Sequence, residues 1–208
     1  SSLNYTHDDL NGKTSFMSRA ADMAFKKGMI VVVSAGNEGN KEWQKSTPPS
    51  DAKNVLAVGA VGVDSVIASF SSRGQMADGR VKPDLVSVGR GTVTIGQNGL
   101  VSFTNGTSLS SPFLAGLIAS LWSVNPDMHR SDLMAIVKRS ADRYHSPDTI
   151  HGYGIPDFHK AVKEVLNTLP VHSKRVIGQE WLIEPDPKGY YWAKPVAPRF
   201  TGDAYRVR

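Results

Sequence analysis

"GMIVVVSAGNEGN", residues 28–40, is a short run of apolar, largely β-branched residues ended by glycines. This is the pattern of a strand buried on both faces, as strands of a parallel sheet are. Just before it, "TSFMSRAADMAFKK" (14–27) has apolar residues at 16, 17, 20, 21, 24 and 25, the spacing of one helical face. Thr14 or Ser15 supplies its N-cap and Gly28 its stop. A helix feeding a buried strand predicts an α/β protein with a mostly parallel central sheet.

Working outward, "NVLAVGAV" (54–61) reads as a second buried strand, reached through a loop holding Pro48 and Pro49. "VIASFSS" (66–72) reads as a short strand, and "TVTIGQNGLVSF" (92–103) as a hairpin turning at Asn98-Gly99. Helices are expected at 108–124, at about 131–142 with Ser131 as cap, and at about 157–167. From Pro170 onward the composition shifts to proline with Trp181 and Trp192, too aromatic for a plain linker. The organisation expected is a body over 1–168 and an extension of extended structure over 169–208.

Composition narrows the function. With 40% hydrophobic and 21% charged residues, the chain is an ordinary globular one. Its net charge of +5 is scattered rather than striped, which argues against a nucleic-acid partner. Cysteine is absent, excluding disulfides, a thiol nucleophile and Cys-ligated zinc. No run approaches the ~18 apolar residues of a membrane span. The opening "SSLNYTHDDLNGK" carries no signal-peptide pattern and reads as the end of a strand entering a loop.

Two loops carry chemistry: "SAGNEGN" (34–40) after a buried strand and "NGTSLSSP" (105–112) before a buried helix. Both fall where open α/β sheets bind ligands, at the carboxyl ends of strands. At a helix N-terminus, Ser108 gains unpaired N–H groups and the positive end of the dipole, which favour developing negative charge. A carboxamide on a glycine-flanked turn, such as Asn37, can be the second oxyanion donor. Taken singly, each loop is equally a helix cap or a turn. Asn105-Gly106-Thr107 also fits a glycosylation sequon, but it abuts a buried helix.

Together, and in this order, "VVVSAGNEG", "VLAVGAV", "ASFSSRG", "KPDL" and "NGTSLSSPFLAG" resemble the subtilisin-like serine proteases, the subtilases, from residue 2 to about residue 167. The resemblance implies a subtilisin-like three-layer fold whose N-terminal strands are missing. It implies Ser108 as nucleophile and Asn37 as oxyanion-hole asparagine. Ser2-Leu3-Asn4 matches the edge strand that pairs with substrate backbone, with Asn4 where a glycine is usual. Ser34-Ala35-Gly36 matches a wall of the pocket for the residue preceding the scissile bond. Pro49 matches a proline that is cis in the family, and "GYGIPDFHKAV" (152–162) the closing segment and last helix. A peptide or protein substrate, an extracytoplasmic location and chemistry without a cofactor follow from the same resemblance. Many relatives bind structural calcium, yet no Asp/Asn-rich loop here has a ligand pattern.

A serine hydroxyl needs a base, and the base an orienting carboxylate. Subtilases place these in the order Asp, His, Ser. The only histidine before Ser108 is His7, without the family's His-Gly-Thr-His context, and Asp8, Asp9 and Asp51 lack its Asp-Ser/Thr-Gly motif. His129, His145, His151, His159 and His172 follow the nucleophile and are expected to be structural or solvated. The expectation is therefore a serine endopeptidase of which these residues form the C-terminal part of the catalytic domain, inactive alone. A two-chain enzyme cut before residue 1, or a degenerate peptide-binding scaffold, are the alternatives. A sheet lacking its first strands exposes an edge, open to the missing segment or to a second copy.

Overall fold

The computed structural model describes residues 5–169 and, beyond them, only strands at 174–176, 179–185, 191–195 and 205–207. Helix α1 (Phe16–Lys26) begins after Ser15 and leads into strand β1 (Val31–Ser34). Strand β2 (Val55–Val61) follows, buried at all seven residues. The ribbon of β3 (Gly74–Gln75) and β4 (Val81–Lys82) then leads into β5 (Leu85–Val88). β1, β2 and β5 form a parallel sheet in that order, with Val31 opposite Val55 and Val58 opposite Leu85. The antiparallel hairpin β6 (Thr92–Ile95) and β7 (Val101–Thr104) runs into α2 (Thr107–Trp122). Helices α3 (Arg130–Ser140) and α4 (Phe158–Asn167) follow.

Alternation along the strands builds three layers. Val55, with Val31 and Val33, packs against Ala21 of α1. Leu56, Val58 and Val32 point into the other cluster, with Leu114, Ile118 and Leu121 of α2, Leu133, Ile136 and Val137 of α3, and Ala161 and Val165 of α4. The spacing 114, 118, 121 puts one stripe of α2 against the sheet. Each such side chain contributes about 1.5–3 kcal/mol on full burial.

Across the sheet's end, "KPDL" makes a closed electrostatic staple. Asp84, 5% exposed, accepts Lys82 Nζ at 2.5 Å and the Ala57 N–H at 2.8 Å on one carboxylate oxygen. Its other oxygen accepts Lys138 Nζ of α3 at 2.7 Å. Burial alone would raise the Asp84 pKa, but the two ammonium groups outweigh it and hold the carboxyl below the ordinary carboxylate range. Lys82, 2% exposed, also donates to the Val55 carbonyl at 3.3 Å.

Three local expectations are corrected. Residues 66–72 are not a strand; only Ile67 makes an isolated bridge, to Val61. Their backbone groups are taken by neighbouring loops: Ala68 N–H bonds Ala60, Ser72 N–H bonds Gly36, and the Phe70 carbonyl accepts from Gly39. The cap of α3 is His129 rather than Ser131, because the helix starts at Arg130 and the His129 ring accepts the Ser131 N–H. β1 is half-buried rather than buried on both faces, since β2 is its only partner among the described residues. The hairpin turn, the remaining helices and the cis Pro48–Pro49 bond match the sequence reading; Lys82–Pro83 is cis as well.

The chain divides into two compact units, Ser1–Val165 and Leu166–Arg208. In the second, β8 (Lys174–Val176), β9 (Gln179–Pro185), β10 (Tyr191–Pro195) and β11 (Tyr205–Val207) pair antiparallel as a meander. No helix among the described residues is long and apolar enough to cross a membrane.

Candidate active site

β1 ends at Ser34, and the turn after it is pinned on both sides. Ala35 N–H bonds the Val58 carbonyl at 2.9 Å, and the Ala35 carbonyl accepts Thr47 N–H at 3.1 Å. Gly36 donates to Thr107 Oγ1 at 3.2 Å and accepts from Ser72 N–H at 2.9 Å. Glu38 N–H bonds Ser72 Oγ at 3.0 Å, and Gly39 N–H bonds the Phe70 carbonyl at 2.8 Å. A Cβ at Gly39 would lie 2.1 Å from the Ser71 carbonyl oxygen, so only glycine allows this approach. The loop 68–72 is thus the brace that fixes Asn37.

Asn37 reaches across seventy residues of sequence to the start of α2. Its Oδ1 accepts both the Thr107 N–H at 2.9 Å and the Thr107 hydroxyl at 3.0 Å. Thr107 is fully buried, so this carboxamide orientation is fixed from within the fold. Among the described residues its Nδ2 donates to nothing. The Ser108 N–H, one of the first amides of a helix, has no acceptor among the described residues either.

Gly106 shows what lies between these two donors. A Cβ on it would stand 3.5 Å from Asn37 Nδ2 and 3.8 Å from the Ser108 nitrogen. Its φ of 156° and ψ of 148° belong to a region essentially reserved for glycine. The space is therefore kept empty by residue type and flanked by two free donors. That is what an oxyanion needs.

Neighbouring hydroxyls divide their roles. Ser110, buried, donates to the Thr107 carbonyl at 3.0 Å as a helix-start residue does. Ser108 is exposed, and its hydroxyl has no partner among the described residues. Pro112 inside α2 has no N–H to give the Ser108 carbonyl, so the first turn is loosened under this serine.

The structure brings Ser108, Asn37 and Gly36 together through Thr107. Ser34 and Gly36 reach the surface in part, while Ala35 is fully buried behind them. Ser2, Leu3 and Asn4 lie outside the described residues. The sequence reading missed the orienting role of Thr107 and the space at Gly106; the Gly-Thr-Ser triplet was the signal for both. His7 packs against Trp43 with ring centroids 4.6 Å apart and the rings tilted by 59°. His129 caps α3, and the His151 ring lies 3.0 Å from a carboxylate oxygen of Asp148. Among the described residues no three His, Asp or Glu side chains converge as metal ligands.

The sequence model of the subtilase family, Peptidase S8, matches residues 1–154. The chain belongs to the subtilase family. It is 29% identical over 174 residues to serine protease AprX of Bacillus subtilis (strain 168), covering 73% of this chain and 38% of that protein. The thermophilic serine proteinase of Bacillus sp. (strain AK1) is 31% identical over 149 residues, covering 72% and 34%. This subtilase chain thus spans little more than a third of these relatives. Among solved structures, the self-cleaved protease domain of PatA superposes with a TM-score of 0.60 at 20% identity, over 72% of this chain and 54% of that one. The likeness establishes the subtilisin-like fold. Within it, the Asn37–Thr107–Ser108 seam lies on the matched stretch.

Proposed function

We propose that this chain is the nucleophile-bearing part of a serine endopeptidase that cleaves peptide bonds through an acyl-enzyme. The observation that carries the reading is the pair of unpartnered donors, Asn37 Nδ2 and the Ser108 N–H, flanking the space that Gly106 leaves open. Ser108 Oγ attacks the scissile carbonyl, whose oxygen gains charge between those donors; the amine leaves, and water later releases the acyl group. The donors need no reorganisation at that moment, because Thr107 already holds the carboxamide.

No imidazole bonds Ser108 Oγ among the described residues. We infer that the base and its carboxylate lie upstream of Ser1, and that this chain alone is inactive. The same upstream segment takes the edge of β1 that is unpaired among the described residues, with a second copy as the alternative occupant. The substrate is polypeptide, its acyl side lying along Ser34, Ala35 and Gly36 and, by the family resemblance, along Ser2, Leu3 and Asn4. Ala35 and Gly36 spend their backbone groups internally, so they offer a wall rather than strand pairing. The chemistry needs no cofactor, any bound calcium would serve stability, and secretion is the location that suits such an enzyme.

Fluorophosphonate labelling tests the reading. The 208-residue chain is expected to stay unlabelled, and a longer protein that supplies the family's Asp and His ahead of these residues to label at Ser108. Rapid labelling of the 208 residues would place the base within them. A longer protein that binds peptide yet never labels would make this a binding scaffold.

A further inference from the structure

The hairpin that delivers the nucleophile is built inside out. Its half-buried face carries Thr92, Thr94 and Ser102, whereas its outward face carries Val93, Ile95, Val101 and Phe103. These four are 62%, 79%, 72% and 71% exposed. They form two directly facing pairs, Val93 with Phe103 and Ile95 with Val101, so they make one continuous apolar patch. Core packing rewards the opposite arrangement, with hydrocarbon inward and hydroxyls outward. No residue from 92 to 104 is charged, although charged residues make up 21% of the chain. Exposed strands are normally protected by lysines, prolines or cover, and this two-stranded ribbon has none of these among the described residues. An uncharged apolar face of this kind is a contact surface for an uncharged apolar partner.

Its position says which partner. The base of the hairpin is tied to the nucleophile's own loop: Gly91 N–H bonds Asn105 Oδ1 at 2.7 Å, and Gly106 N–H bonds the Gly89 carbonyl at 2.8 Å. Phe103 precedes Ser108 by five residues, so the patch begins within about 17 Å of it even along a fully extended chain. A substrate segment of five or six residues spans that distance. The acyl-side wall at Ser34–Gly36 is a separate surface, joined to α2 through Thr107.

We propose that the outward face of β6–β7 is an accessory substrate site that takes an extended, uncharged, apolar polypeptide segment flanking the scissile bond. The proposal rests on Ser108 being the nucleophile. Affinity comes from alternate apolar side chains lying on Val93, Ile95, Val101 and Phe103. Selectivity then favours unfolded, hydrophobic stretches of protein, the charged ones being excluded by desolvation without a counter-charge.

The test measures binding without hydrolysis. The chain has no cysteine, so Ser108→Cys provides a single site for a nitroxide label on the full 208 residues. Fluorescence anisotropy then follows a soluble ten-residue peptide with valine at alternate positions, against one with serine in their place. The valine peptide is expected to bind at least tenfold tighter. Changing Val93, Ile95, Val101 and Phe103 together to threonine, which keeps β-propensity and the fold, should erase that difference. The nitroxide should broaden NMR signals at one end of the bound peptide only. Equal binding of both peptides, binding that survives the threonine variant, or binding without broadening would overturn the proposal. So would self-association in sedimentation that the threonine variant abolishes, which would assign the face to a second copy. Because Ser108 is replaced throughout, failure of labelling in the longer protein would leave this result standing, and the reverse holds too.

Discussion

Two bridges join distant parts of this chain, and they finish differently. Asp84 ties β5 to α3 by accepting Lys138, and Asn37 ties the β1 turn to α2 by accepting Thr107. At Asp84 both oxygens are engaged, by two ammonium groups and a backbone N–H. At Asn37 only the oxygen is engaged among the described residues, and the amide nitrogen is left over beside the Ser108 N–H and the position that Gly106 keeps free of a Cβ. A staple closes its account of donors and acceptors. The proposed site keeps donors unsatisfied where the oxyanion would come.

The largest expected effect tests the staple. Asp84→Asn leaves two lysines without their counter-charge, one of them 2% exposed, and breaking such a buried pair costs about 3–5 kcal/mol. Urea unfolding of the 208-residue chain should show that loss in the midpoint. If Asp84 were instead catalytic, stability would be unchanged and labelling of the longer protein would fall.

The second effect tests the site with the roles reversed. Asn37→Ala in the longer protein should lower fluorophosphonate reactivity at Ser108 about 10²–10³-fold, the size found when such a donor is removed from a subtilisin. Its unfolding midpoint should fall as well, by the roughly 1–3 kcal/mol of leaving the buried Thr107 N–H and hydroxyl without their acceptor, less than the Asp84→Asn loss because the turn keeps its Ser72 and Phe70 bonds. A large loss of stability with normal labelling would make Asn37 a second staple.

Much of this was legible in the sequence, because periodicity reports which side of a strand or helix meets the core. The β-branched run Val31 to Val33 marked a strand of the sheet, and the segment 108–124 the buried helix that packs on it. The glycine and hydroxyl neighbours of Asn37 and Ser108 singled out two loops that the structure joins through Thr107. What was not legible depends on long-range geometry. Residues 66–72 look like a strand by composition, but their hydrogen bonds go to the 34–40 turn and β2, contacts that no local pattern encodes. The half-burial of β1 depends on which neighbour lies at its edge. The staple was hidden because a lysine and an aspartate two residues apart read as solvated charges until burial is known.

A smaller effect links the two bridges. Thr107→Val keeps the shape but removes the hydroxyl that donates to Asn37 and accepts from Gly36, a loss of about 0.5–1.5 kcal/mol per hydrogen bond. Reactivity at Ser108 should fall several-fold. In an Asn37→Ala background the same substitution should change reactivity no further, since it acts by positioning that side chain. Additive losses in this double-mutant cycle would mean that Thr107 acts on Ser108 directly.

The smallest effect is a dependence on acid that belongs to the staple alone. Asp84 has a folded pKa held below its unfolded value of about 3.9 by Lys82 and Lys138. The stability it contributes is therefore fully present above that pH and is lost as the pH falls through the lower folded value. Unfolding free energy should decline below about pH 4 in the wild type, and part of that decline should vanish in Asp84→Asn. Lys138→Met removes one of the two charges that depress the folded pKa, so its acid decline should be smaller and should level off at a higher pH. Identical acid limbs in all three proteins would show that the two lysines do not hold this carboxylate ionised. The resemblance between the two bridges would then be one of geometry only.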